Sequence, residues 1–117
     1  FRTPNADTSI TERDMRLVFS KNGVPIRLTQ ERWAHIEERH PEMKNQRERV
    51  LNTIDSPEFV QQGDFGELLA VRHYAETPLT SKYLVAAYRE TESDDGFVMT
   101  AYLTSRPSKI RSILWKR

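Results

Sequence analysis

The first half of the chain spaces its apolar residues as an amphipathic helix does. Thr29 is a favourable N-cap, and Trp33 and Ile36 follow at a helical interval until Pro41, which ends the helix. The apolar residues between about 42 and 54 mark one face of a second helix. The pattern therefore predicts two consecutive helices in this part of the chain.

After about residue 57 the apolar positions alternate with a period of two. The main strands are predicted at residues 58–61, 67–74, 82–89 and 97–104, with short ones at 24–28 and 113–115. Asp95-Gly96 indicates a hairpin between the two longest. Helices followed by an antiparallel meander are typical of a single α+β domain, here over residues 23–117, after a loosely structured segment at 1–22.

Alternation divides the strand 97–104 into two faces. The face expected to pack on the helices is apolar: Phe97, Met99, Ala101 and Leu103. The opposite face is rich in hydroxyl groups: Val98, Thr100, Tyr102 and Thr104. The neighbouring strand brings a cation to the edge of this face, either Lys82 or Arg89, depending on the register. The hydroxyl face is either a solvated surface or a surface that binds a substrate.

Composition excludes several classes of protein. The chain has 117 residues and no cysteine, so it contains no disulfide, no thiolate zinc site and no cysteine nucleophile. No apolar run approaches the length of a membrane span. The net charge of +1 divides into −4 over residues 1–104 and +5 over residues 105–117, so the C-terminal segment either docks a polyanion or is solvated.

The three histidines do not form a zinc motif. A zinc helix needs histidines at i and i+4, whereas His35 and His40 stand at i and i+5, about 140° apart around a helix. His40 could simply cap the helix, and His35 and His73 could be surface residues. No metal site and no cofactor are expected.

Four segments taken together resemble a known group of nucleases. They are Ile26 to Glu42, which ends in Arg39-His40-Pro41-Glu42, then Lys82 to Val85, Gly96 to Thr104, and Leu114-Trp115. In this order they resemble the phage and bacterial branch of the barnase, EndoU, colicin and RelE-like nuclease superfamily. The resemblance covers about residues 26–116. It implies a fold in which N-terminal helices pack on one face of a four-stranded antiparallel sheet.

The resemblance also implies an activity, metal-independent cleavage of RNA by a toxin-like endoribonuclease. In that reaction a base takes the proton of the ribose 2′-hydroxyl, which attacks the adjacent phosphorus, and an acid protonates the leaving oxygen. The expected catalytic residues are His35, His40, Lys82 and Tyr102. The expected substrate-binding residues are Arg39, Arg89, Thr100, Thr104 and Arg106.

The expected partners are RNA, either transfer RNA or messenger RNA, and an antitoxin or immunity protein, with no membrane. Because the chain begins at Phe1, we expect a piece of a longer protein, acting in the cytoplasm or delivered into a target cell. The alternative is an inactive module on the same fold that binds RNA or a protein. Convergence of His40, Lys82 and Tyr102 on one phosphate would favour the enzyme.

Overall fold

A computed structural model describes residues 15–117, which form two α-helices, one short 3-10 helix and seven strands. In chain order the elements are β1 (Met15–Phe19), β2 (Pro25–Thr29), α1 (Gln30–Arg39), the 3-10 helix (Pro41–Met43), α2 (Arg47–Asp55), β3 (Phe59–Gln62), β4 (Leu68–Tyr74), β5 (Lys82–Glu92), β6 (Asp95–Thr104) and β7 (Ile113–Lys116).

The strands form one mixed sheet in the order β1-β2-β6-β5-β4-β3-β7. The expectation of a four-stranded antiparallel sheet was wrong, because strands are added at both edges of the β3–β6 meander. On one side β2 pairs in parallel with β6, and β1 pairs with β2. On the other side β7 pairs with β3. Strand β1 falls within the segment 1–22 that we expected to be loose, and residues 1–14 lie outside the described part of the chain.

The main core lies between the two helices and one face of the sheet. Trp33 and Ile36 of α1 are 5% and 2% exposed, and Val50 and Ile54 of α2 are fully buried. These side chains pack on the central strands, which contribute Leu84, Ala86, Tyr88 and Ala101. The apolar face predicted for each helix is therefore the face that is buried against the sheet.

The second face of the sheet is covered by the connection between β6 and β7. Three strands separate β6 from β7, so residues 105–112, the crossover segment, must cross one face of the sheet. Gln61, which lies in register with Leu69, donates from Nε2 to the carbonyl of Ser108 at 2.7 Å. Leu69 belongs to a second buried cluster on this face, together with Val71, Val85 and Ala87. The sheet is therefore covered on both sides.

A β-bulge at Met99 breaks the alternation of β6. Thr100 lies opposite Ala87 while Val98 lies opposite Tyr88, so Met99 has no partner on β5. The extra residue moves Val98 into the helix-side core, where it is 1% exposed. The predicted faces were therefore wrong at the start of the strand, although Ala101 and Leu103 do pack on the helices.

Candidate functional site

Helix α1 lies beside a stretch of β6 that no other strand covers on that side. The pairing of β2 with β6 ends at Arg27 and Phe97, so on the side away from β5 the rest of β6 contacts α1 and the 3-10 helix. Gly96 permits the junction, because a Cβ there would lie 2.5 Å from Ile26 Cδ1 and 2.6 Å from the carbonyl oxygen of Arg89. The pairing of β2 with β6 therefore ends where α1 begins to cover the edge of β6.

A cavity of about 540 Å³ opens between α1 and β6. Its lining comes from α1, from the residue that caps it and from the bulge: Arg32, His35, Ile36, Arg39, His40, Met99 and Thr100. The four residues of α1 follow the spacing i, i+3, i+4 and i+7, which puts them on one face of the helix. Ile36 anchors this face in the core, while the two arginines and His35 are exposed beside it.

His40 is held in place by its neighbours in sequence and in space. Its backbone N–H donates to the carbonyl of Ile36 at 2.8 Å, and its own carbonyl accepts from the N–H of Met43 at 2.8 Å. The imidazole centroid lies 5.9 Å from the ring centroid of Tyr102, at an interplanar angle of 35°. Nδ1 lies 3.7 Å from Oε2 of Glu42. The imidazole thus lies near both a carboxylate and a phenol ring.

The charge of the cavity is positive. Four close contacts between a basic and an acidic side chain, one of them His40 with Glu42, are present among residues 15–117, and neither Arg32 nor Arg39 takes part in any of them. Both guanidinium groups therefore remain available to an anion. They lie in residues 1–104, which carry a net charge of −4. Arginine is well suited to phosphate because its planar group donates two parallel hydrogen bonds.

The structure brings together five of the nine residues expected from the sequence. His35, Arg39, His40 and Thr100 line the cavity, and Tyr102 packs against the imidazole of His40. The expected triad of His40, Lys82 and Tyr102 does not converge: His40 and Tyr102 lie together, but Lys82 does not join them and gives no support to the enzyme. Lys82 lies on the same face of β5 as Leu84, which is the face that packs on the helices. Its Nζ lies 2.6 Å from Oγ of Ser105.

The other three expected residues also lie outside the cavity. Arg89 shares the face of β5 that carries Ala87, and its Nη2 donates to the carbonyl of Phe65 at 2.9 Å. Thr104 and Arg106 are bonded to each other, because the Thr104 hydroxyl donates to the Arg106 carbonyl at 3.0 Å and accepts from its N–H at 3.3 Å. The register thus assigns Arg89, not Lys82, to the face of Thr100.

Three cavity residues, Arg32, Ile36 and Met99, were not among the expected site residues. Arg32 could have been found, because it stands one helical turn before His35 on the same predicted helix. Met99 could not, because its position depends on a bulge that the alternation of β6 does not reveal.

Within residues 15–117 no three His, Cys, Asp or Glu side chains converge in a way that could hold a metal ion. No helix in the same part of the chain combines the length and the hydropathy that a membrane span requires. Comparisons with known protein families, with curated proteins and with solved structures returned no match.

Proposed function

We propose that the protein is an endoribonuclease that needs no metal ion and cleaves RNA through the 2′-hydroxyl of the substrate. The observation that carries the proposal is the cavity beside α1, whose lining includes two imidazoles, a hydroxyl and two guanidinium groups that form no ion pair within residues 15–117. Such a cavity provides the groups that this reaction needs: a base, an acid and donors for the phosphate.

The reaction is a transesterification followed by release of product. One imidazole of the pair His35 and His40 takes the proton of the 2′-hydroxyl, and that oxygen attacks the adjacent phosphorus. The bond from phosphorus to the 5′-oxygen breaks, and the other histidine, in its imidazolium form, donates a proton to the leaving oxygen. The products are a 2′,3′-cyclic phosphate and a 5′-hydroxyl. Imidazole suits both roles because it exchanges protons near neutral pH.

The remaining groups bind and orient. Arg39 neutralises the charge that develops on the phosphate oxygens, and the Thr100 hydroxyl donates to the same group. Glu42 lies on the Nδ1 side of His40, which leaves Nε2 for the substrate. Tyr102 limits the rotation of the imidazole. The toxin role and the antitoxin or immunity protein rest on the sequence resemblance alone and stay predictions.

The test uses purified protein with total bacterial RNA in excess EDTA. We expect discrete fragments that end in a 2′,3′-cyclic phosphate, lost in His35→Ala and His40→Ala. His73→Ala is the matched control, because His73 is exposed on β4 and bonds Ser81 Oγ at 2.7 Å outside the cavity. Cleavage that persists without both cavity histidines would contradict the proposal.

Intact RNA with a folded wild-type protein would favour the alternative, a module on this fold that binds RNA or a protein without cleaving it. Retention of labelled RNA on a filter would then identify RNA as the ligand, and loss of retention in Arg39→Ala would place it in the cavity.

A further inference from the structure

Arg32 occupies a position in α1 that helix stability does not favour. Thr29 is the N-cap, and its hydroxyl accepts from the N–H of Arg32 at 3.1 Å, which makes Arg32 the third residue of the helix. A glutamate or glutamine there would complete a capping box. A cation in the first turn is opposed by the helix dipole.

No ion pair or side-chain hydrogen bond within residues 15–117 compensates for this placement. Arg32 is exposed and forms no ion pair with a carboxylate of residues 15–117. Its side chain instead lines the cavity, on the same stripe as His35 and Arg39. The position therefore suits a ligand better than it suits the helix.

The spacing along α1 separates the two arginines. Arg32 and Arg39 are seven residues apart, about 10 Å along the helix axis, and His35 lies between them. In the proposed reaction the scissile phosphate sits at Arg39, between the two imidazoles. Arg32 then lies beyond His35, on the far side from that phosphate.

We infer that Arg32 binds a second phosphate of the RNA, the one next to the scissile phosphate on the His35 side. This subsite rests on the proposed ribonuclease function. It makes the substrate a stretch of RNA with two consecutive phosphates at the site, so a dinucleoside monophosphate is a poor substrate. The scissile phosphate has one neighbouring phosphate on its 5′ side and one on its 3′ side. Because Arg32 lies on one side of the site, only one of these two occupies the subsite.

The test compares short substrates built on the dinucleotide step at which the wild type cuts total RNA. One substrate has the scissile phosphodiester alone, and two others add a terminal phosphate at the 5′ or the 3′ end. For the wild type, we expect kcat/KM to rise about tenfold with the phosphate at one end only. In Arg32→Gln that gain falls to near one, and Arg32→Lys keeps part of it because the charge remains.

Arg117→Gln is the control, since Arg117 is exposed beyond β7 and outside the cavity. It should keep the whole gain. A wild type that cleaves the dinucleotide but gains nothing from either phosphate would overturn the subsite and leave the ribonuclease standing. A gain that survives in Arg32→Gln would overturn it as well.

A binding measurement separates the subsite from catalysis. The probe is a single-stranded oligonucleotide of mixed sequence with 2′-deoxyribose at every position, which the proposed reaction cannot cleave, and the readout is the slope of log affinity against log salt. Loss of one phosphate contact in Arg32→Gln should lower that slope by about 0.7. A lowered slope in Arg32→Gln, together with no cleavage of natural RNA by the wild type, would support the phosphate subsite and overturn the proposed ribonuclease activity. An unchanged slope would overturn the subsite.

Discussion

At the scale of single residues, Arg32 lines the cavity at a position where it lowers the stability of α1. Arg32 stands where α1 would gain from an acidic residue, because Thr29 caps the helix three residues earlier. We expect Arg32→Glu to stabilise the protein by about 0.5–1 kcal/mol and to raise its Tm by about 2–5 °C. RNA affinity should fall in the same variant.

Thermal unfolding followed by circular dichroism measures the first effect, and filter binding of RNA the second. Glu31→Arg provides the reverse control, because Glu31 lies in the same turn, outside the cavity lining, and its carboxylate favours the helix. A variant Arg32→Glu that is less stable than the wild type would show that Arg32 supports the helix after all.

In the proposed reaction Glu42 is a positioning residue that acts through His40. If the carboxylate beside Nδ1 fixes the imidazole, Glu42→Gln should lower kcat about tenfold and change KM by less than about twofold, a smaller loss than removal of the imidazole itself. The ¹⁵N spectrum of His40 should show a changed ratio of the two neutral tautomers. Glu38→Gln, an exposed carboxylate on α1, is the control. An unchanged tautomer ratio with reduced kcat would assign Glu42 a different role.

At the scale of elements, the crossover segment closes the second face of the sheet through a buried amide. Gln61 is 4% exposed, and its amide bonds the backbone of Ser108. Truncation in Gln61→Ala removes this bond and leaves a small cavity, so we expect a loss of about 1–3 kcal/mol in the free energy of unfolding. Urea denaturation measures it.

Gln62→Ala is the matched control, because the neighbouring side chain is exposed. Hydrogen exchange adds a local readout: the amides of residues 105–112 should exchange faster in Gln61→Ala than in Gln62→Ala. Equal exchange in the two variants would mean that the segment is held by other contacts.

The short parallel contact between β2 and β6 has an electrostatic support that depends on pH. Arg27 donates to both carboxylate oxygens of Asp95 at 3.1 and 3.0 Å, and this hydrogen bonding holds the pKa of Asp95 below its usual value. A carboxylate with a lowered pKa stabilises the folded state above its pKa in the unfolded chain, about 4, and that contribution is lost as the pH falls through the folded pKa.

We therefore expect Asp95→Asn to be less stable than the wild type from about pH 5 to 7, and the difference to shrink as the pH falls below about 4. Midpoints of urea unfolding between pH 7 and 2.5 measure it. Asp94→Asn changes the adjacent exposed carboxylate, which forms no ion pair in the described part of the chain, and is the control. A difference that is constant over the whole range would contradict the assignment.

For the whole molecule, the sequence predicted what depends on local pattern and missed what depends on distant pairing. The helix at Thr29 has a cap, an apolar stripe and a terminating Pro41, so its bounds follow from neighbours in sequence. The pairing of β2 with β6 and of β7 with β3 joins residues far apart in the chain, which no periodicity records. The bulge at Met99 likewise arises from the register with β5.

The candidate site divides in the same way. His35 and Arg39 share one face of a single helix, so their proximity was predictable from spacing alone. The expected role of Lys82 depended on the face of β5 that meets the hydroxyl row. Alternation alone left that choice open, and the register places Lys82 on the helix side.

On the scale of the whole molecule, Lys109, Lys116 and Arg117, three of the five cations of residues 105–117, lie outside the cavity lining. Lys116 and Arg117 lie at the β7 edge, with β5, β4 and β3 between them and β6, and Lys109 belongs to the crossover segment. If RNA binds in the cavity, the triple variant Lys109→Gln/Lys116→Gln/Arg117→Gln should keep kcat/KM within about threefold. Its salt slope should match the wild type, because each phosphate contact contributes about 0.7 to that slope. A slope that falls by about 2 would instead place the RNA on the C-terminal segment, away from the histidines that the proposed reaction requires.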